Sequence, residues 1–568
     1  MIQRSEATPL LLASILIGAA AMTTIPLDRG LENDGITLPV SSATGVPADV
    51  LLMQQTLGAF RGWAIDALWL RALERRDQGL LHESMELAHW ITKLQPYFPR
   101  VWNFQAWLLA FEMALDSRDP EQRWAWVREA IDLLRGPGLR ANPHSQEIHR
   151  QLSYLFWFKI GEFQDEAAPY YQRRLCQRWQ TILGHPPGRD ASRYFEVLDR
   201  AARSPDQVRE LSAGLVTDSD LISRLEKAAS DPEMALSTGV AEKFPTLEPE
   251  GVQAVEDFLR RRLIEDELNM SPDLMARLGE ELGPIDWRTP AAHAVYWGAQ
   301  GALRAGSEDL STGLNSANIE DVLTTIDVRI GLQQLVAHGR VLLGDDEQLV
   351  TTLPQPGILP AYERALLLLT DGQGIAAELL PRVLEIVSAA VVTSWLQGED
   401  ELARQLLQRR DVLARSESRP QSEDLIDVVK SLVLDTLDEE DGDREKRSLL
   451  VGIHGRALVA GGGGGTEVES LRGLFLAKEL EVMLFGSQSL DFRNDALARA
   501  LRTPSAAAPL SVKRRIWETL SSAQRDLIDI TTRSLLLIEA RREGEDPAVV
   551  FPGIASGDAA GASESSGD

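Results

Sequence analysis

The chain has 568 residues, 44% of them hydrophobic, which is ordinary for a folded protein and long enough for several domains or one elongated array. The 85 acidic residues outnumber the 58 basic ones, and the net charge of −27 argues against a nucleic-acid-binding protein, which needs a basic surface. The single cysteine, Cys176, excludes an intrachain disulfide, a four-cysteine zinc site and a cysteine-ligated iron–sulfur site.

The amino-terminal part of the chain contains an apolar run. Residues 9–27 carry no charged side chain; Arg4 precedes them, and the segment that follows is net acidic. This asymmetry predicts a single-pass inner-membrane protein with its amino end in the cytoplasm and its bulk in the periplasm. The run is slightly shorter than the roughly 20 residues that span a bilayer. The small residues 18–21 resemble a cleavage site, so a cleaved signal peptide with a soluble exported product remains open. A buried first helix of a cytoplasmic protein is a further alternative.

Turn-rich and polar stretches divide the chain into regions. After the membrane segment, 1–27, we expect the following regions in order: a flexible tether, 28–50; helical repeats, 51–184; an irregular helical insertion, 185–284; a second helical repeat region, 285–415; a C-terminal helical region, 416–552; and a disordered tail, 553–568.

The first repeat region shows helix boundaries most clearly. Asp119 followed by Pro120 is typical of a helix start, because proline has no N–H to lose there. Gly136-Pro137-Gly138 predicts the end of the same helix. The preceding helix, Pro99 to Leu115, is apolar on two sides and therefore needs two neighbours. We expect antiparallel helical hairpins.

A repeat of 47 residues is visible across two of these helices. Aligning Pro96 with Pro143 places Val101 on Ile148, Trp107 on Tyr154 and Leu108 on Leu155. Helix pairs that repeat at such a spacing and cannot bury both apolar sides alone are typical of an α-solenoid. The predicted fold class is therefore all-α, an α-solenoid of helical hairpins.

Later segments continue the helical pattern. Thr289-Pro290 predicts a helix start that runs to about Ala305, and Ile319 to Leu343 is also helical in period. Val383 to Leu396 is apolar but only fourteen residues long, which favours a buried helix over a second membrane span. Further amphipathic helices are expected at the following places: Glu399 to Arg415, Glu423 to Leu437, Thr466 to Phe485 and Ser511 to Arg542.

Two sets of segments resemble a family of membrane-anchored bacterial proteins with tetratricopeptide-like repeats. The first set lies between Leu57 and Gly184 and comprises LGAFRG, ITKLQPYFPRVWNFQAW, RWAWVREAIDLLR, GLRANP and FWFKIG; the second is DWRTPAAHAVYW, from Asp286 to Trp297. The resemblance implies a tetratricopeptide-like helical fold and a membrane anchor. It implies no catalytic residue, because the family has no settled activity. The spacing of 47 residues departs from the common tetratricopeptide period of about 34.

Sequence motifs for common enzyme chemistry do not occur. The chain has no G-x-x-x-x-G-K-[ST], no H-E-x-x-H and no G-x-S-x-G. The glycine run before Thr466 lacks the third glycine of a dinucleotide loop and is interpreted as a linker. The eight histidines are scattered without metal-ligand spacing. We therefore expect no enzyme activity, no cofactor and no metal.

Two groups of residues are candidates for a functional role. Asp286, Arg288 and His293 form a polar constellation beside a helix start, where a structural ion pair is favoured over a binding or catalytic site. A partner-binding concave surface on the repeats would be formed by these side chains: Trp102, Asn103, Gln105, Trp107, His149 and Tyr154.

The sequence favours an interaction scaffold that binds an unidentified protein partner, such as a membrane complex. Two alternatives stay open. One is an all-helical envelope enzyme acting on a polymer, which would show two carboxyl groups within about 10 Å in an open cleft. The other is an architectural protein whose repeats assemble with one another.

Overall fold

The structure is a computed structural model that describes these parts of the chain: 61–162, 165–184, 221–245, 247–305, 319–343, 349–370, 372–414, 424–435, 443–461, 466–485, 493–503, 510–520 and 528–554, with single positions at 195, 198, 201, 204, 206–208, 508 and 525. The predicted membrane segment, the tether and most of the predicted tail lie outside these parts. None of the described helices is long and apolar enough to cross a membrane.

The described residues are mostly helical, which confirms the all-α class. Contacts divide the chain into two compact units, an N-terminal unit of residues 1–148 and a C-terminal unit of residues 149–568. The described helices of more than three residues up to this boundary are α1 (Arg61–Asp77), α2 (Leu81–Leu94), α3 (Pro99–Trp107), α4 (Pro120–Leu133) and α5 (Gln146–Tyr154), which crosses it; Ala114–Asp116 and Leu139–Ala141 are short α turns.

The C-terminal unit contains the remaining described helices. They are α6 (Ala168–Leu183), α7 (Leu221–Ser230), α8 (Pro232–Ser237), α9 (Val240–Lys243), α10 (Pro249–Arg262), α11 (Pro272–Leu282), α12 (Pro290–Ala305), α13 (Ile319–Leu323), α14 (Ile326–His338), α15 (Leu359–Leu368), α16 (Leu380–Leu396), α17 (Asp400–Leu413), α18 (Leu425–Leu434), α19 (Asp443–Val459), α20 (Glu467–Phe485), α21 (Arg493–Arg502), α22 (Leu510–Thr519), α23 (Ile530–Arg542) and α24 (Pro547–Val550).

The 47-residue spacing has a counterpart in the backbone. Helix α3 has nine residues and passes into a six-residue π-helical turn, Leu108–Met113. Helix α5 also has nine residues and passes into a six-residue π-helical turn, Leu155–Ile160. The start of the α segment and the start and end of the π turn therefore lie 47 residues later in the second helix than in the first, the spacing seen in the sequence. Two further π turns, Leu134–Gly138 and Leu263–Glu267, have five residues each.

The predicted end of α4 at Gly136-Pro137-Gly138 is wrong. Those residues form a π-helical turn, Leu134–Gly138, and a short α turn, Leu139–Ala141, follows. A proline normally breaks an α-helix because its ring meets the carbonyl four residues earlier and its missing N–H leaves that carbonyl unbonded. The wider π turn accommodates Pro137, so the chain keeps its helical course until Asn142.

Helix α12 lies in the core of the C-terminal unit. It begins at Pro290, as predicted, and nearly all of its side chains are buried, Tyr296 and Trp297 completely. Its approach to α14 is close, because a Cβ at Gly331 would lie 2.7 Å from Val295 Cγ2 and a Cβ at Gly298 would lie 3.0 Å from Val328 Cγ2. Glycine at both positions allows the two helices to pack almost backbone to backbone.

The segment after α14 corrects the sequence interpretation, which extended this helical region to Leu343. Helix α14 ends at His338, and an antiparallel hairpin of β1 (Arg340–Leu343) and β2 (Leu349–Leu353) follows. At Gly339 a Cβ would lie 2.2 Å from the Leu335 carbonyl oxygen, so only glycine fits where the chain leaves the helix. The two strands are short, and the helical pattern of the residues before them continues into the first strand. The sequence therefore did not indicate a hairpin.

The C-terminal helices surround a separate apolar core that includes Trp517 and Phe551. The sequence predicted one helix from Ser511 to Arg542, which is wrong: α22 ends at Thr519 and α23 begins at Ile530. Asp529 starts α23, since its carboxylate accepts hydrogen bonds from the N–H and the hydroxyl of Thr532.

Candidate functional site

The candidates for partner contact in the N-terminal unit differ in exposure. Trp102 and Gln105 are buried. The Trp102 Nε1–H donates to the Pro96 carbonyl oxygen at 2.7 Å, and Gln105 Oε1 accepts from Thr92 Oγ1 at 3.3 Å. Asn103 and Trp107 are half-buried. Trp102 and Gln105 therefore serve as core residues of this unit and do not form part of an exposed surface.

The other two partner-contact candidates lie in the C-terminal unit. His149 is completely buried, with its ring centroid 6.1 Å from that of Trp297. Tyr154 is half-buried and stacks on Phe158 with ring centroids 4.8 Å apart. The six predicted side chains are thus divided between two units, and three of them are inside cores.

The constellation of Asp286, Arg288 and His293 forms an ion pair and a separate ring contact. Arg288 donates Nε–H and Nη2–H to the two carboxylate oxygens of Asp286, at 2.9 and 2.8 Å. Asp286 also accepts from the backbone N–H of Val341, at 3.3 Å, and so connects the start of α12 with β1. His293 Nε2 lies 2.9 Å from the Trp287 carbonyl oxygen, and its ring stacks on Phe156. These contacts position chain segments.

Cys176 lies buried on α6. Burial raises the pKa of its thiol to about 12, while the charge of Arg288 lowers it and that of Asp286 raises it. Since the thiolate is the reactive form of cysteine, a protonated buried thiol does not act as a nucleophile at neutral pH.

A small crevice with a cavity volume of about 20 Å³, little more than one water molecule needs, is present in the C-terminal unit. Its polar lining includes Gln172, Gln334 and Thr352, and Gln334 donates from Nε2 to the Trp157 carbonyl oxygen at 3.0 Å. No aspartate or glutamate is among the residues that line it. Among the described residues, no cluster of His, Cys, Asp or Glu side chains is arranged to hold a metal ion.

Helix α20 presents a row of exposed apolar side chains, and polar contacts fix its start. Thr466 Oγ1 accepts the N–H of Glu469 at 3.0 Å, which caps the helix. The buried Glu469 carboxylate then accepts from Arg456 Nε, at 2.9 Å, and from Gln397 Nε2, at 2.8 Å. Arg456 belongs to α19 and Gln397 follows α16, so one carboxylate holds α20 against two neighbouring helices.

Two further contacts set the rotation of α20 about its axis. Arg472 donates to Asp400 at 2.5 Å and to the Trp395 carbonyl oxygen at 2.7 Å. On the side facing α19, a Cβ at Gly473 would lie 2.8 Å from the Cβ of Ala457. The inner side of α20 is therefore in close contact with α19, and the opposite side faces solvent.

We call that opposite side the α20 face. It comprises Val468, Leu471, Phe475, Lys478 and Val482. The four apolar side chains are 44%, 62%, 49% and 58% exposed, in that order. The successive spacings of three and four residues are those of the a and d positions of a heptad. At 100° per residue the five positions fall within about 80° of the helix circumference, over a length of about 21 Å.

The sequence predicted the helix but not this face. The heptad signal is present, yet Leu474, Leu476, Leu480 and Leu484 make α20 apolar all round. A helix with that pattern is usually interpreted as buried on every side. Which leucines pack inward is decided by Gly473 and the Glu469 contacts, and these depend on residues distant in sequence.

Comparisons of the chain with models of known protein families, with curated proteins and with solved structures found no match.

Proposed function

We propose that this chain is a scaffold of tetratricopeptide-like helical repeats that is tethered to the inner membrane through residues 9–27 and binds a protein partner on the periplasmic side. The exposed α20 face carries the proposal. Solvent-exposed apolar side chains scattered singly are normal, whereas neighbouring ones on one helix face are typical of an interaction surface.

The repeat and tether components of the proposal have separate support. The matching α and π boundaries of α3 and α5 support a chain built from repeated helical hairpins, which stack into extended binding surfaces. The uncharged run of residues 9–27, with an acidic segment after it, supports the tether and its orientation.

The α20 face is suited to binding because it is held in place before any partner arrives. Glu469, Arg472 and Gly473 hold the helix against α16, α17 and α19. A pre-organised helix loses little conformational entropy on association, so more of the contact energy appears as affinity.

The test is purification of the tagged full-length chain from native membranes in mild detergent. We expect a stoichiometric partner with the wild-type chain and its loss with the double variant Leu471→Glu, Phe475→Glu. Val412→Glu is the matched control, because Val412 on α17 is 58% exposed, like Val482, but lies outside the α20 face. Loss of the partner with both variants, or with neither, would contradict the proposal.

A further inference from the structure

The spacing on the α20 face specifies the shape of its occupant. Apolar positions that alternate by three and four residues form a nearly straight row on an α-helix, and a second helix packs along such a row with knobs-into-holes contacts. A β-strand, whose side chains alternate between two faces with a period of two, does not follow such a row. The occupant that fits the whole row is therefore another helix, about four turns long.

One member of the α20 face is charged. Lys478 lies between Phe475 and Val482 and is exposed. Within the parts of the chain that the structure describes, its ammonium group has no carboxylate at ion-pair distance, whereas nearby Lys430 has both Asp427 and Glu479. A helix packed over the row would remove water from the Lys478 ammonium group, which is costly unless the partner supplies a negative charge.

A second copy of this chain would not supply that charge. If two α20 helices packed in parallel, Lys478 would face Lys478 of the second copy. If they packed antiparallel about a two-fold axis at Phe475, the member of the face opposite Lys478 would be Leu471 of the second copy, which carries no charge. The parallel arrangement brings like charges together, and the antiparallel one covers the ammonium group with an apolar side chain, so both arrangements are disfavoured.

We infer that the α20 face binds an amphipathic helix of another protein that carries apolar residues at heptad spacing and a glutamate or aspartate opposite Lys478. This rests on the proposed function and adds the chemistry of the partner. The carboxylate selects the partner and fixes its register along α20, as a single polar residue does within the apolar row of a coiled coil.

The test uses two synthetic heptad peptides with leucine at the a and d positions. They differ only at the central core position, which is glutamate in one and lysine in the other. Binding of each labelled peptide to the full-length chain in detergent is measured by fluorescence anisotropy. We expect the glutamate peptide to bind the wild-type chain at least about 10-fold more tightly than the lysine peptide.

Two variants make the result specific. Lys478→Glu should reverse the preference, because it places a carboxylate at the centre of the row. Phe475→Glu should abolish binding of both peptides, and Val412→Glu should change neither. Lys478, Phe475 and Val412 are exposed, so these variants are expected to fold, which circular dichroism would verify.

Equal affinity for the two peptides, or an unchanged preference in Lys478→Glu, would overturn the inference. So would a dimer of the wild-type chain in light scattering that Phe475→Glu dissociates, because a second copy would then occupy the face. The proposed function is tested apart from this: capture of a native partner that depends on Leu471 and Phe475 would still support the scaffold.

Discussion

Gly473 on α20 lies so close to Ala457 on α19 that a Cβ at position 473 would be 2.8 Å from the Ala457 Cβ. Neither atom can turn away, because both are attached directly to helix backbones. Gly473→Ala should therefore force α20 and α19 apart and lower the free energy of unfolding by about 1–3 kcal/mol. Urea unfolding followed by circular dichroism would measure the loss.

The control for that prediction is Gly62, also a helical glycine, where no atom lies within 4 Å of a built Cβ. Gly62→Ala should stabilise α1 by about 0.5–1 kcal/mol, since alanine favours helix more than glycine. If both substitutions changed the free energy of unfolding in the same direction, close packing of α19 and α20 would not explain the effect at position 473.

The buried pair of Lys159 and Asp165 gives a second prediction. Their charged atoms are 2.6 Å apart, and both side chains are almost inaccessible to solvent. Asp165→Asn would leave the Lys159 ammonium buried without this carboxylate, and we expect a loss of about 3–5 kcal/mol in the free energy of unfolding. Glu385→Gln removes the exposed pair with Arg382 and should cost no more than about 1 kcal/mol.

The same pair predicts a pH dependence. Burial raises the pKa of Asp165, but hydrogen bonds from Lys159, the Ala167 N–H and Tyr171, together with the Lys159 charge, bring it below its ordinary value of 3.8. A carboxyl group whose pKa is lowered by folding stabilises the fold above its unfolded pKa and loses this effect as the pH falls through its folded pKa. The difference in stability between wild type and Asp165→Asn should be full at pH 6 and shrink below about pH 4. A pH-independent difference would contradict this.

Cys176 provides a prediction about reactivity. Because burial raises the pKa of its thiol to about 12, the folded chain should react with a thiol reagent at neutral pH far more slowly than the chain in denaturant. Ellman's reagent measures both rates. Equal rates would show that the thiol is accessible in solution.

Trp102 tests whether its side chain belongs to a core or to a groove. Trp102→Ala should lower the free energy of unfolding by about 3–5 kcal/mol, because a buried indole leaves a cavity and Pro96 loses a hydrogen-bond donor. Trp63→Ala is the matched control, since Trp63 is 81% exposed, and it should change stability by about 0.5 kcal/mol or less. Similar effects of both variants would place Trp102 at the surface.

Local rules predicted the helix starts well. Proline after Asp119 and after Thr289 marks the first residue of α4 and of α12. Each helix start depends only on the geometry of adjacent residues, so it can be predicted from the local sequence. The apolar segment around Val387 likewise became a helix with one buried side, α16.

Long-range contacts decided what local rules missed. A proline at position 137 would end an α-helix. Because the chain forms a π turn at Leu134–Gly138, Pro137 is accommodated and the helix continues. The β hairpin depends on Gly339, which packs against Gln355. The α20 face depends on Glu469, whose partners are 13 and 72 residues away.

The π turns also affect how the chain tolerates changes in length. Each widens one helical turn by a residue, so the side chains beyond it are rotated by about 100° relative to a plain α-helix. Deleting one residue within the turn, such as Ala110, would let the helix close into the α form. The lost residue and the closed turn offset each other, so Met113 and Ala114 would keep the positions in which they are buried. A deletion elsewhere in the helix that left the π turn open would instead rotate these side chains by about 100°. The π turns are therefore the places where these helices tolerate the loss of one codon.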